Sequence, residues 1–572
     1  LDFKILKISK MKNILKTLIL LPFLLLTNGC TDLEEKVLDE TFTTALPATN
    51  PGQSILAPAY SPLVSIYLHT NYFALQEITS DEAILPYRGG TDWGDNGIYL
   101  ELNKHTFNSR TANVRNTWNP LVQALSRCVT AINELPTVND PNKDVYLAEA
   151  IGMRAFYNMQ LLDLYGLVFK KDNPGAPSEI LRGDAAVKYL IEEFKKAEPN
   201  LKTRNDVGHG RLTKGAVWGL LARLHINAAV YREPYAANFQ FQNADMDEVI
   251  KYCDQILSSN QYAMSPEYFE LFDDKNNTNK EIVFAVDQRF NLNGHNRFAY
   301  FSLSGDQYPL PAFPGANGTD GPGITSDFYK SWVDAYPGED PSVDPRFHKQ
   351  NMAYTGFSPD TCYRAEDFKY NRGILRGNQY GLIRVSGNFV KCPDGRFKVG
   401  QIFNVSRNRP TFPVNFTEKI DFTTAGSDYS TGYRVLKYEF SSTSNTGRNA
   451  GEHDIVILRL ADVYLMRAEA QLRKNNAGPA LSDVNTVRAS RTARKPAPPL
   501  SSINLDLLFR ERGFEFYWEC LRRTDMIRFG KFEGKWTEKD SNDKNKRVFP
   551  IPQTAIDGAS NLPGYLVQNP GY

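Results

Sequence analysis

Histidine is rare here, seven in 572 residues, and none stands in an HExxH or similar spacing. No CxxC occurs among the six cysteines. A zinc site is therefore not expected, and no residue pattern calls for a cofactor. Nucleophile elbows and phosphate-cradling glycine loops are also missing, which removes the usual sequence signs of acyl and phosphoryl transfer. Lysine and arginine number 66 against 65 acidic residues, a net charge of +1. That balance offers no argument for nucleic acid. No apolar run reaches the roughly 20 residues that a membrane-spanning helix needs.

What is present is an ordinary folded composition, 23% charged and 41% hydrophobic. Aromatics are plentiful, with 29 tyrosines and 34 phenylalanines. Many must serve the core. Tyrosine-rich surfaces also suit sugars, whose C–H faces lie on rings while their hydroxyls need polar neighbours.

The N-terminal stretch reads as a leader. Met11 is taken as the start; Lys12 and Lys16 precede an apolar run at 17–26, broken only by Pro22. This has the form of a signal-peptide h-region, so residues 1–29 are set aside from the fold. Gly29-Cys30 resembles a bacterial lipobox, although Thr27 stands where leucine is preferred and Leu26 is one position early. Cys30 is thus the candidate for lipidation, and residues 30–50, opening with Thr31-Asp32-Leu33-Glu34-Glu35, form a solvated tether. Each buried methylene of such an anchor contributes about 0.8 kcal/mol. Of the five cysteines left, Cys362 and Cys392 share a loop-rich region and are candidates for a disulfide. Cys128, Cys253 and Cys520 read as small buried side chains.

Helical periodicity covers 118–135, 144–165, 185–197, 213–231 and 246–257, with Thr213 a cap and Gly166 a stop signal. It returns over 453–474, 477–491 and 505–529. Alanine-rich pairs with short links suggest tetratricopeptide-like packing of irregular period. Between these clusters, a β-like run at 281–286 leads into residues 291–450, which are rich in Gly, Pro, Asn, Ser and aromatics. Turn chemistry dominates there, as in FPGANGTDGPG at 313–323. Loops this long in a compact protein are usually functional or disordered, and the aromatics favour function. The two helical clusters can then form one scaffold around a large insertion.

Three blocks carry a family resemblance: AEAIGMRAFYNMQLLDLYG at 148–166, ILRLADVYLMRAEAQLR with ALSDVNTVRASR at 457–473 and 480–491, and LLFRERGFEFYWECLRRTDMIRFGKF at 507–532, with VFPIP and NPGY closing the chain. In order and with the lipobox, they resemble the SusD/RagB nutrient-binding outer-membrane lipoproteins. Cys520 departs from the pattern, since the family commonly has glycine there. The resemblance implies a mainly α fold, a tetratricopeptide-like helix-pair superhelical scaffold with an irregular ligand-binding insertion. It implies a lipid-anchored protein facing the extracellular side of the outer membrane, lying over a SusC-like TonB-dependent transporter. It implies binding and delivery of oligosaccharide without catalysis. The expected layout is a leader at 1–29, a tether at 30–50, a helical region at 51–290, the insertion at 291–450 and a C-terminal helical region at 451–572.

Glu511, Glu515 and Glu519 recur every four residues, which invites a glycosidase reading. Arginines crowd them, however, and nearby cations lower carboxylate pKa values, opposite to the need of a general acid. Ion pairing is the expectation. For the ligand, the turn-rich stretch 80–99 offers Trp93 as a flat platform, with Asp81, Arg88, Asp95 and Asn96 as donors and acceptors. A second set, Tyr300, Tyr308, Phe313 and Asn317, lies in the insertion. Trp332, in a helix-like run at 327–335, reads as core. Rival readings are a peptide-binding (RagB-like) member, a secreted glycoside hydrolase and a structural lipoprotein that binds proteins. The ligand's identity stays open, as does calcium at Asp273 and Asp274.

Overall fold

Helices form where apolar residues recur at three- and four-residue spacing. The computed structural model of the chain describes residues 50–572 except 87–97, 291, 293, 304–309, 312–317, 320, 352–360, 404–412, 421–430 and 444–449. Cys30 and the leader lie outside the described residues. The principal helices are α1 (Pro51–Tyr60), α2 (Ala112–Glu134), α3 (Lys143–Tyr165), α4 (Gly183–Ala197), α5 (Lys214–Arg232) and α6 (Asn243–Ser258). They continue with α7 (Ser326–Ala335), α8 (Leu460–Arg473), α9 (Ala477–Ala489), α10 (Leu505–Phe516) and α11 (Arg522–Arg528). Among the described residues, no helix is long and apolar enough to cross a membrane.

Local chemistry sets their ends. The Thr213 hydroxyl accepts the Ala216 N–H at 3.2 Å and caps α5. Helix α3 stops at Gly166, whose φ of +66° is the left-handed conformation that glycine adopts without steric cost. From α2 to α6 each helix packs on the next, then α6 packs on α8 and α8 on α9. The contact of α6 with α8 joins two clusters far apart in sequence into one scaffold.

Between them the chain departs along β2 (Ile282–Val286) and returns beside it, antiparallel, along β10 (Ile455–Arg459). The label order is completed by β1 (Ala83–Ile84), β3 (Gly323–Ile324), β4 (His348–Lys349), β5 (Cys362–Tyr363), β6 (Arg372–Leu375), β7 (Tyr380–Leu382), β8 (Phe397–Gln401) and β9 (Arg434–Leu436). Short antiparallel sheets β7–β8–β5 and β9–β6–β4 organise the intervening region. Helix α5 lies tight on β10: a Cβ on Gly219 would sit 2.2 Å from Leu458 Cδ2.

Two expectations need correction. The run 453–474 is not one helix, because Ile455, Val456, Leu458 and Arg459 pair with β2 before α8 begins. Nor is 505–529 continuous. It breaks between α10 and α11, where Trp518 and Cys520 take φ of +63° and +61°. Cys520 therefore occupies backbone that favours glycine, which gives a physical reason for glycine at the matching family position. The middle region also holds more strand than its composition suggests, in pieces too short to show periodicity. Cys362 and Cys392 form a disulfide with a Cα separation of 6.4 Å. Cys128, Cys253 and Cys520 are free and buried. Trp332 is fully buried and stacks on Phe514 at 3.7 Å between ring centroids, as its helical position implied.

Candidate functional site

The two candidate ligand sets are far apart in sequence, and a short ladder brings their roots together. Strand β1 pairs antiparallel with β3, Ala83 opposite Ile324 and Ile84 opposite Gly323. The Gly321 N–H donates to the Phe301 carbonyl at 3.2 Å, which adds the residue after Tyr300 to the same cluster. Ile324 N–H donates to the Tyr433 carbonyl at 3.0 Å. Described backbone at 83–84, 301 and 321–324, near these segments in sequence, thus comes together. Arg88, Trp93, Asp95, Asn96, Tyr308, Phe313 and Asn317 themselves lie outside the described residues. Tyr300 ends the short helix Arg297–Tyr300, and its side chain is also outside them.

Asp81 stands at the base of this cluster and is held in place. Arg522 donates from Nε to Oδ1 at 2.7 Å and from Nη2 to Oδ2 at 2.9 Å. The Arg522 side chain is 5% exposed and that of Asp81 20%. A two-point guanidinium–carboxylate pair fixes geometry as well as charge, so Asp81 ties the loop root to α11.

Below it lies a feature that sequence reasoning missed. Glu77 and Glu82 are fully buried side by side. The Trp518 N–H donates to Glu82 Oε1 at 2.6 Å, and the Cys520 N–H donates to Glu77 Oε1. These bonds hold the left-handed turn between α10 and α11. Burial first, and then the neighbouring Glu82, push the Glu77 carboxyl well above the usual range. No local signal marked the pair, because its partners lie over 400 residues away.

The three α10-region carboxylates are consumed by cations. Glu511 accepts from Arg346 and Arg488, each at 2.7 Å. Glu515 accepts from Arg346 at 3.0 Å and from Arg459 and Arg491, each at 2.6 Å. Glu519 accepts from Arg459 at 2.8 Å and Lys437 at 2.7 Å. Burial alone would raise the Glu515 pKa, but Arg491, Arg459 and Arg346 outweigh it and hold the carboxyl far below the usual range. Such a group is a poor proton donor at neutral pH. Among the described residues, no cluster of three or more His, Cys, Asp or Glu could hold a metal ion.

An open cleft of ≈ 460 Å³ is in the size range of small-ligand sites. Leu310 and Pro311 line it, placed between segments 304–309 and 312–317, facing Asp274, Tyr370, Glu439 and Phe440. It spans the scaffold, through Asp274, and the insertion, through the other residues. Its polar members are scattered over the sequence, and only Asp274 was noticed beforehand, as an acidic loop residue.

A model of the SusD family matches residues 236–572 of the chain. Among curated proteins, the starch-binding protein SusD of Bacteroides thetaiotaomicron is 24% identical over 449 residues, 74% of this chain and 72% of that one. A SusD-like protein of Bacteroides ovatus is 23% identical over 436 residues, 73% of this chain and 66% of its own. The solved surface glycan-binding protein A from Bacteroides fluxus superposes with a TM-score of 0.63 at 17% identity, over 92% of this chain and 100% of that one. The same-named protein from B. thetaiotaomicron, in complex with laminarihexaose, gives 0.62 at 20% identity, over 91% and 98%. At these identities the structures establish likeness of fold.

Proposed function

Because this chain belongs to the SusD family, we propose that it is a non-catalytic cell-surface protein that binds oligosaccharide or polysaccharide nutrient and delivers it to a SusC-like TonB-dependent transporter. The observation that carries this reading is the β1–β3 ladder, which brings together described backbone that flanks both candidate segments in sequence. Relatives named for starch and laminarihexaose support a glycan ligand. The cation-locked Glu511, Glu515 and Glu519 support binding over hydrolysis. In this reading Cys30 carries the lipid, residues 30–50 give reach from the outer membrane, and 291–450 form the ligand face on a scaffold built from 51–290 and 451–572. A lid over a barrel must bury extensive surface, so the transporter contact is broad.

Affinity-gel electrophoresis against a panel of neutral polysaccharides tests the binding. Retention by at least one, with no product released, is expected. Trp93→Ala should weaken it by about 1–3 kcal/mol, the value of one lost stacking contact. Retention by none, or release of reducing ends, overturns the reading. Native purification should also recover a large β-barrel partner; a lone monomer from mild detergent counts against delivery.

A further inference from the structure

We propose that the cleft lined by Asp274, Tyr370, Glu439 and Phe440 is a subsite for neutral glycan that turns away polyanionic glycan. This rests on the glycan-binding reading and adds to it a place and a charge rule.

The argument begins with Asp274. Its residue is 9% exposed, and its Oδ2 accepts from both the N–H and the hydroxyl of Ser442. Its Oδ1 is buried and has no hydrogen-bond partner in the structure. Its own N–H donates to Glu439 Oε2 at 3.2 Å. A buried acceptor left unfilled calls for water, an ion or a ligand. Here it belongs to a residue that lines an open cleft.

Carboxylates outnumber cations in the cleft. Arg372 also lines it, with Nε unpartnered, but its charge is paired: Nη1 donates to Asp273 at 2.7 Å, and Nη2 donates to the Lys437, Phe272 and Phe269 carbonyls. It is 3% exposed. Lys369 is exposed at the rim, as is Glu366. Beyond the Arg372–Asp273 pair, the charges that line the cleft are the carboxylates of Asp274, Glu366 and Glu439 against one lysine. Ionised carboxylates accept strong hydrogen bonds from hydroxyls. Against a uronate or sulfate the same groups are like charges brought together in a partly dry cleft, which disfavours association.

The floor complements the polar wall. Phe368 stands edge-on to Tyr370, 4.9 Å between centroids, and both belong to the insertion's apolar cluster with Phe440. Rings and Leu310 offer apolar surface to the C–H side of a sugar, while Asp274 and Glu439 take its hydroxyls.

Titration calorimetry on the full chain decides the matter, with a neutral β-1,3-glucan hexasaccharide, a neutral α-1,4-glucan heptasaccharide and an oligogalacturonate of similar length as probes. At least one neutral probe should bind, and the oligogalacturonate at least tenfold more weakly. Asp274→Asn should weaken the neutral probe tenfold or more. Glu366→Lys lies on exposed surface and should fold normally. It should raise oligogalacturonate affinity threefold or more, and it decides the case if Asp274→Asn proves unstable. Equal binding of neutral and anionic probes by the native chain overturns the proposal. So does unchanged binding in a folded Asp274→Asn or in Glu366→Lys. If Trp93→Ala loses the neutral probe while both cleft variants keep native affinities, the glycan reading survives and the subsite falls. If no probe binds the native chain, both fall.

Discussion

The helical scaffold and the insertion between β2 and β10 share a lattice of buried ion pairs, to which Arg346 and Lys437 come from the insertion, and differ in the rest of their packing. Around α10 the scaffold buries arginines with carboxylates: Arg459 alone, 1% exposed, reaches Glu281 at 2.9 Å, Glu515 at 2.6 Å and Glu519 at 2.8 Å. The insertion has a separate apolar cluster, including Leu375, Leu382, Val399 and Phe416, short strands and a disulfide. Burying a charge pair costs desolvation, recovered only with good geometry and full hydrogen bonding. Such a lattice tolerates little change and suits a platform that must keep one shape. Short strands joined by long loops can vary at their tips without disturbing that platform.

The largest expected effect breaks the scaffold side of this contrast. Arg459→Ala leaves Glu281, Glu515 and Glu519 buried and short of a cation, and should cost about 3–5 kcal/mol. The urea midpoint reads it; a loss under about 1 kcal/mol would mean that the remaining arginines suffice. Next comes the insertion. A Cys362→Ser, Cys392→Ser double variant removes a crosslink spanning 30 residues, worth about 2–4 kcal/mol. Hydrogen exchange should speed up in β8 and β6 while α3 keeps its protection. Equal acceleration in α3 would show one cooperative unit and dissolve the comparison. The smallest effect sharpens it: Thr213→Ala should lower stability by about 1 kcal/mol through the lost α5 cap. Glycan affinity should not move, and a change there would tie ligand binding to the capped end of α5.

Much of the scaffold was legible because its signals are local. Leu121, Leu125 and Cys128 lie on one face of α2, Gly166 ends α3, and Thr213 caps α5. The arginine-rich setting of Glu511 and Glu515 also foretold ion pairs, though not which arginines. Reading 453–474 as one helix failed because a short apolar run fits a buried strand as well as a helix. The break before Cys520 was hidden for another reason: the turn is held by Glu77 and Glu82. Of the candidate ligand residues, only Asp81 is described with its side chain, and its place against Arg522 could not be read from either segment. The disulfide was a possibility on paper and became a pairing once β5 and β8 met.

Composition, periodicity and end signals were enough to determine a charge-balanced helical platform interrupted by a long aromatic-rich excursion, since each of these depends on neighbours within a few turns. The tertiary structure alone decided that β1 meets β3, that two glutamates hold a left-handed turn, and that Asp274 lines a cleft with an acceptor unfilled. Those contacts join residues hundreds of positions apart, and no local period records which distant backbone a side chain will reach.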